Sequence, residues 1–440
     1  MSVDNKEQEP YKSDILDGDN IASKSSVSNG YRNYVLLMLT VVYVFNFIDR
    51  QILVILQESI KQELLLSDTQ LGLLSGLSFA LFYVILGIPI ARLADRGNRR
   101  NVVAIAVVAW SAMTALCGLA QNYIQLVLAR IGVGVGEAGC SPPAHSMISD
   151  YFSENQRATA LSVYSMGIYI GILFGFSLGG WLDANYGWRI AFLALGLPGV
   201  LFAMFFFFTV KEPKRTTVAD AANSLSFWRV TKQLLQKRSF VYLAFAAGLH
   251  SFGTYALGNW LPSFLERLHG LSKADIGLYA GLILGIAGAT GTLLGGYLAD
   301  KLGKHDKRWY VKVSAFGAII AIPFLLLYYF HSSIAIVLGS LFVAYTAVSL
   351  FLGPSIAITH SLVPANMRAF ASAVLFLVLN LIGLGLGPLF VGAVSDWLAP
   401  NYGIESLRLA LASTLMVSLV AISLFLLAGK HLHKDLECHT

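Results

Sequence analysis

The chain has 440 residues, 56% of them hydrophobic and only 13% charged, and its 31 Lys and Arg against 25 Asp and Glu leave a formal charge of +6. A soluble chain carries nearer a quarter of its residues as charges. Here runs of about 20 apolar residues recur from end to end, which excludes a water-soluble core and marks a multi-span, all-α helical membrane protein. The surplus bases are no nucleic-acid signature, because they fall in loops on one side, and Cys117, Cys140 and Cys438 give no disulfide framework.

Residues 1–32 are polar and read as a disordered tail with no cleavable signal pattern. Twelve spans are expected near 33–57, 70–94, 101–121, 124–150, 157–182, 188–210, 239–266, 275–299, 310–330, 333–361, 368–396 and 405–429. The stretch 211–238 separates six spans (33–210) from six (239–429), and its part from Phe227 to Arg238 has the spacing of an amphipathic helix on the membrane surface. Residues 430–440 form a second tail, whose His and Cys residues have no spacing that fixes a metal. Bases crowd the loops after even-numbered spans, while the opposite loops hold only Lys61, Arg189, Arg267, Lys273 and Arg408. Both termini are therefore expected in the cytoplasm, in the inner or plasma membrane.

Charges inside the spans are costly and point to function. The first span holds Asp49 and Arg50. The fourth holds Arg130 and Glu137, seven residues apart on one helix face and about 10 Å apart along the axis. Glycines 132, 134 and 136 lie between them, and Pro142-Pro143 should loosen the turns that follow. Burial opposes the charge on Asp49 and Glu137 while the two arginines favour it, so opening and closing a cavity can couple to a proton. Glu137 is the first candidate for proton carrier and Asp49 the second. Arg50 and Arg130, which do not titrate, are assigned to an anionic head group. Tyr43, Asn46, His250, Tyr255 and Asn259 are expected to line the cavity. Gly167, Gly171, Gly175 and Gly179 form a close-packing face read as the sliding seam between halves.

The two halves repeat. Leu93-Ala-Asp-Arg96 is matched by Leu298-Ala-Asp-Lys301, Arg157 by Arg368, and Asn185-Tyr-Gly187 by Asn401-Tyr-Gly403. Duplication of a six-helix unit predicts two bundles related by an axis along the membrane normal, with a site where they meet. The loop motif Leu93-Ala-Asp-Arg-Gly-Asn-Arg-Arg100, its second copy at 296–305 and Arg130-x-x-x-Gly134-x-Gly136-Glu137 resemble those of the major facilitator superfamily. Ala91 and Asn98 stand where glycine is usual. Asn46-Phe-Ile-Asp-Arg50 and Gly136-Glu-Ala-Gly-Cys-Ser-Pro-Pro-Ala144 resemble the spinster-type lipid transporters within it.

The resemblance implies a twelve-helix secondary transporter, not an enzyme, with spans one, four, seven and ten around the cavity. Its cargo would be a lysophospholipid or a sphingosine-phosphate-like amphiphile, driven by a proton gradient with no cofactor and no metal. The chain would work as a monomer among membrane lipids and without nucleic acid. A small organic anion or a drug is the alternative cargo, and a non-transporting sensor or channel-like lipid pathway the alternative class. Asp95, Arg96, Arg99, Arg100 and Arg157, with Asp300, Lys301 and Arg368, are assigned to a cytoplasmic gate, Asp95 capping span eleven and Asp300 span five.

Overall fold

A computed structural model describes residues 28–213, 227–364 and 367–437. Among these the chain makes twelve helical passes: α1 (Asn29–Leu64), α2 (68–96), α3 (Arg99–Cys117), α4 (123–151), α5 (Glu154–Tyr186), α6 (Trp188–Thr209), α7 (Arg238–His269), α8 (Lys273–Gly303), α9 (Trp309–Phe330), α10 (334–361), α11 (368–402) and α12 (Ser406–Glu437). Polar side chains set several of the starts. Ser67 and Gln70 form a reciprocal capping box at α2, and Asn98, Asn122 and Ser272 cap α3, α4 and α8. The expected spans are recovered in number and order, and several run longer than hydropathy alone suggested.

Each half repeats one packing scheme: α1 lies on α5 as α7 lies on α11, α3 on α6 as α9 on α12, and α3 on α4 as α9 on α10. The helices that line the middle are broken. α4 stops at Glu137 and restarts at Ser141, with prolines 142 and 143 in its first turn. α10 passes through a short 3-10 turn at Ser349–Phe351. α2 and α11 carry π-helical turns at Leu73–Leu77 and Leu379–Leu386, which meet across the seam where Gly76 faces the Gly385 carbonyl. Such breaks free backbone groups in the middle of a span, which is tolerated only where protein or water satisfies them.

The apolar core shows how the halves sit. At the ends far from the termini, one cluster runs through both halves, from Ile52, Phe176 and Trp188 to Trp260, Leu261 and Leu411. Toward the face that carries the termini it divides in two. One part, around Trp110 and Tyr164, is built from the first half apart from Leu384; the other, around Phe240 and Phe425, belongs to the second. The halves are therefore joined at the far face and separate toward the terminal face. The helix Phe227–Leu235 between the halves buries Val230 and Leu234 in the second-half cluster, while Leu235 is exposed.

The glycine row of α5 corrects one expectation. Gly167, Gly171 and Gly175 lie against Thr40, Tyr43, Phe47, Ile48 and Gln51 of α1, and Gly179 against Ile55. The row holds α5 to α1 inside one half. The seam uses the next residue, Gly180, where an added Cβ would stand 2.5 Å from the Lys273 carbonyl oxygen and 3.0 Å from the Gly277 Cα of α8. Overpacking of this kind costs about 1–3 kcal/mol. Gly180→Leu is expected to shift the population about tenfold away from the far-closed arrangement. The readout is the distance between spin labels on Tyr186 and Ile404, which should lengthen.

Candidate functional site

The break in α4 leaves Glu137 at the end of its first segment, facing α1. There its Oε2 lies 2.5 Å from Arg50 Nε, with the Glu137 side chain fully buried and 16% of the Arg50 side chain exposed. The Arg50 guanidinium sits over three rings, 5.1 Å from Phe47, 5.1 Å from Phe79 and 4.9 Å from Tyr83. Stacking and a counter-ion together hold a planar cation in one pose. Tyr255 of α7 stands across from it, partly exposed and close enough to sense its charge. Asn46 is buried beside the Glu137 carboxylate. Tyr43 stacks on Tyr164 with centroids 4.3 Å apart.

Asp49, one residue before Arg50, points the other way, into the first half. It is fully buried, and neither carboxylate oxygen has a hydrogen-bond partner among the described residues. Arg130, Glu137 and the hydroxyls of Ser111 and Thr114 surround it. Arg130 is equally sealed, at 2% exposure. Its Nη1 donates to the Asp49 backbone carbonyl at 3.2 Å, and its guanidinium lies 5.4 Å from the Phe79 ring. Glu137 thus pairs with Arg50 rather than bridging toward Arg130, and of the two arginines only Arg50 reaches an open surface in this state. The assignment of Arg130 to a head group does not fit this geometry; its position suits the neutralisation of Asp49.

His250 does not line the cleft. Its Nε2 lies 2.8 Å from the Val348 carbonyl beside the α10 break, and its ring packs 4.5 Å from Phe351. Asn259 is also absent from an open wall: its backbone oxygen accepts from Gln57 Nε2 at 3.0 Å and its Oδ1 from Ser75 Oγ at 3.0 Å.

The terminal-face set stays within each half. Arg99 is buried and donates to Asp150 at 2.6 Å and to Glu212 at 2.7 Å. Arg100 bonds Asn101, Arg157 donates to the Ser149 carbonyl, and Tyr310 donates to Asp300. Lys301 lies over Tyr297, and Arg96 and Arg368 are exposed. The Asp95 side chain lies outside the described residues, as do Cys438 and His439 of the tail.

The closed gate is at the other face, and sequence reasoning did not assign it. Arg267 of α7 reaches Glu58 of α1 at 2.6 Å and Asp68 of α2 at 2.8 Å. Asp396 of α11 accepts from the backbone amides of Asp68 at 3.0 Å and Thr69 at 2.7 Å, capping α2 from the other half. Ser395 donates to Asp68 at 2.6 Å. Gln57 donates to Ser263 at 2.5 Å, and Lys273 of α8 pairs with Asp183 of α5 at 3.2 Å. The available signal was the scarcity of bases on that side: Lys61, Arg267 and Lys273 all engage this network.

The sequence profile of the Major Facilitator Superfamily matches residues 39–388. An MFS-type efflux pump of Mycolicibacterium smegmatis is 33% identical over 91% of this chain and 93% of its own. Protein spinster homolog 1 of Xenopus tropicalis is 28% identical over 92% of this chain and 82% of its own. A crystal structure of a bacterial homolog to the human lysosomal transporter Spinster, inward-facing and unoccupied, superposes with a TM-score of 0.84 at 32% identity, covering 93% of this chain and 99% of that one.

Proposed function

The chain belongs to the major facilitator superfamily as a spinster-type, multi-pass membrane transporter rather than an enzyme, and from that premise we propose that it carries an amphiphilic lipid by proton-coupled alternating access. The cargo has an anionic or zwitterionic head, as in a lysophospholipid or a sphingoid phosphate. With both termini in the cytoplasm, as the bases indicate, the far-closed arrangement is the inward-facing state.

The observation that carries this reading is the Arg50–Glu137 pair: a cation with one edge exposed, tied at 2.5 Å to a carboxylate sealed behind it. A phosphate entering the cleft competes with Glu137 for the same guanidinium. A buried carboxylate stripped of its counter-charge neutralises by taking up a proton. Head-group binding at Arg50 and protonation of Glu137 thus favour one another. Asp49, with Arg130 beside it, is a second carboxylate that can exchange a proton when the half rotates.

The test uses the purified chain in vesicles with an imposed pH gradient and a lysophospholipid. Uptake should saturate, follow the gradient and fall at least about tenfold in Arg50→Lys, since an ammonium reproduces neither the fork nor the stacking. Saturable, gradient-driven uptake of a water-soluble organic anion, with lysophospholipids neither carried nor competing, would replace the lipid reading by that of an anion carrier. An efflux pump among the relatives makes that comparison worth running.

A further inference from the structure

The two terminal-face loops arose as copies, yet they treat their bases differently. In the first half, Arg99 is locked by Asp150 and Glu212, and Arg100 by Asn101. In the second half, the loop after α8 folds beside the outer end of α12 around a cavity of about 560 Å³, lined by His305, Asp306, Lys307, Arg308, Leu432 and Leu436 among others. Asp306, the acid there, lies 3.8 Å from Arg308 and 3.6 Å from Lys312 and does not reach the rest. Lys307 and His305 form no ion pair among the described residues.

The depth of this cavity is marked by its neighbours. Trp309 follows directly, with Lys312 Nζ 5.1 Å from its ring, and Tyr297 is 60% exposed with Lys301 Nζ 5.7 Å away. Partly or fully exposed aromatics with bases over them occupy the head-group layer of a bilayer. Leu432 is buried and belongs to the second-half core, with Leu436 packed on it from the outside, so the floor of the cavity is apolar. We infer that this cavity is a binding site for one anionic phospholipid of the surrounding leaflet, its phosphate held by Lys307 and Arg308 and its glycerol region laid on Leu436. The site lies apart from the Arg50 pair and needs no cargo to be bound there. It would tie the mobile end of the second half to the lipid composition of the membrane.

The test is lipid retention by the full chain, read by native mass spectrometry after purification from mixed phosphatidylglycerol and phosphatidylcholine. Lys307→Gln with Arg308→Gln should lower retained phosphatidylglycerol about twenty-five-fold, each base near the surface contributing roughly a factor of five. Lys211→Gln with Lys232→Gln removes the same charge elsewhere on that face and should leave retention within twofold. Equal loss in both double variants would reduce the effect to general surface potential and overturn the site. So would thermal stabilisation of the delipidated chain by millimolar inorganic phosphate equal to that given by phosphatidylglycerol, since the ligand would then be the free anion. Unchanged helicity and elution volume of the Lys307/Arg308 variant exclude misfolding as the cause.

Discussion

Replacing Glu137 by Gln is expected to abolish accumulation against a gradient while leaving exchange intact. One pH unit is worth about 1.4 kcal/mol per proton, so a one-to-one carrier sustains about tenfold accumulation under that gradient. Without a titrating group behind Arg50 that ratio should fall to unity. Gln keeps the volume of Glu137 and can still accept from Arg50 Nε, so the 2.5 Å contact has a neutral substitute and the fold survives. Exchange of labelled for unlabelled cargo needs no net proton movement and should persist within a few-fold. Asp49→Asn provides the contrast. Asp49 does not touch Arg50, and the Ser111 and Thr114 hydroxyls around it can serve an amide as they serve a carboxylate. If Glu137→Gln still accumulates cargo and Asp49→Asn does not, the proton travels on Asp49 and the Arg50 pair serves binding alone.

The charges that make this site were legible because hydrocarbon tolerates so few; their pairing was not. Seven residues of helix place Arg130 and Glu137 two turns apart, and nothing in one sequence shows that Arg50 of α1 fills the position beside Glu137. The four-residue glycine spacing in α5 shows a face that admits a close neighbour, but periodicity does not identify the neighbour, which is α1 rather than the opposite half. His250 was misplaced because its partner, the Val348 carbonyl, lies 98 residues away beside the break of α10, a contact that no local pattern shows. The twelve passes and their repeat needed only hydropathy and motif order. The far-face gate draws on α1, α2, α7 and α11 at once and forms in one of the carrier's states, and no local pattern encodes a state.

That gate supports the second large effect. Arg267→Ala should convert a far-closed population into a far-open one. Arg267 satisfies two carboxylates whose side chains are only 6% and 4% exposed, Glu58 and Asp68. Removing the shared cation leaves Glu58 without a counter-charge while Asp68 keeps Lys61, and an uncompensated buried charge costs about 3–5 kcal/mol. Opening the far face restores water to both acids, so the penalty falls on the closed state alone and shifts the equilibrium by roughly a hundred- to several thousandfold. Asp396→Asn should act in the same direction and more weakly, since its amide oxygen still accepts from one α2 backbone N–H. The spin-label pair on Tyr186 and Ile404 reads both variants: a long-distance population dominant in Arg267→Ala, partial in Asp396→Asn and minor in the parent chain. The lock would be refuted by a parent-like distance distribution in a well-folded Arg267→Ala protein. The triple change Glu58→Gln, Asp68→Asn and Arg267→Gln isolates the electrostatic origin. Neutral partners leave no buried charge uncompensated, only the partly exposed Lys61, and the closed state should return in part even though the ion pairs of Arg267 are gone.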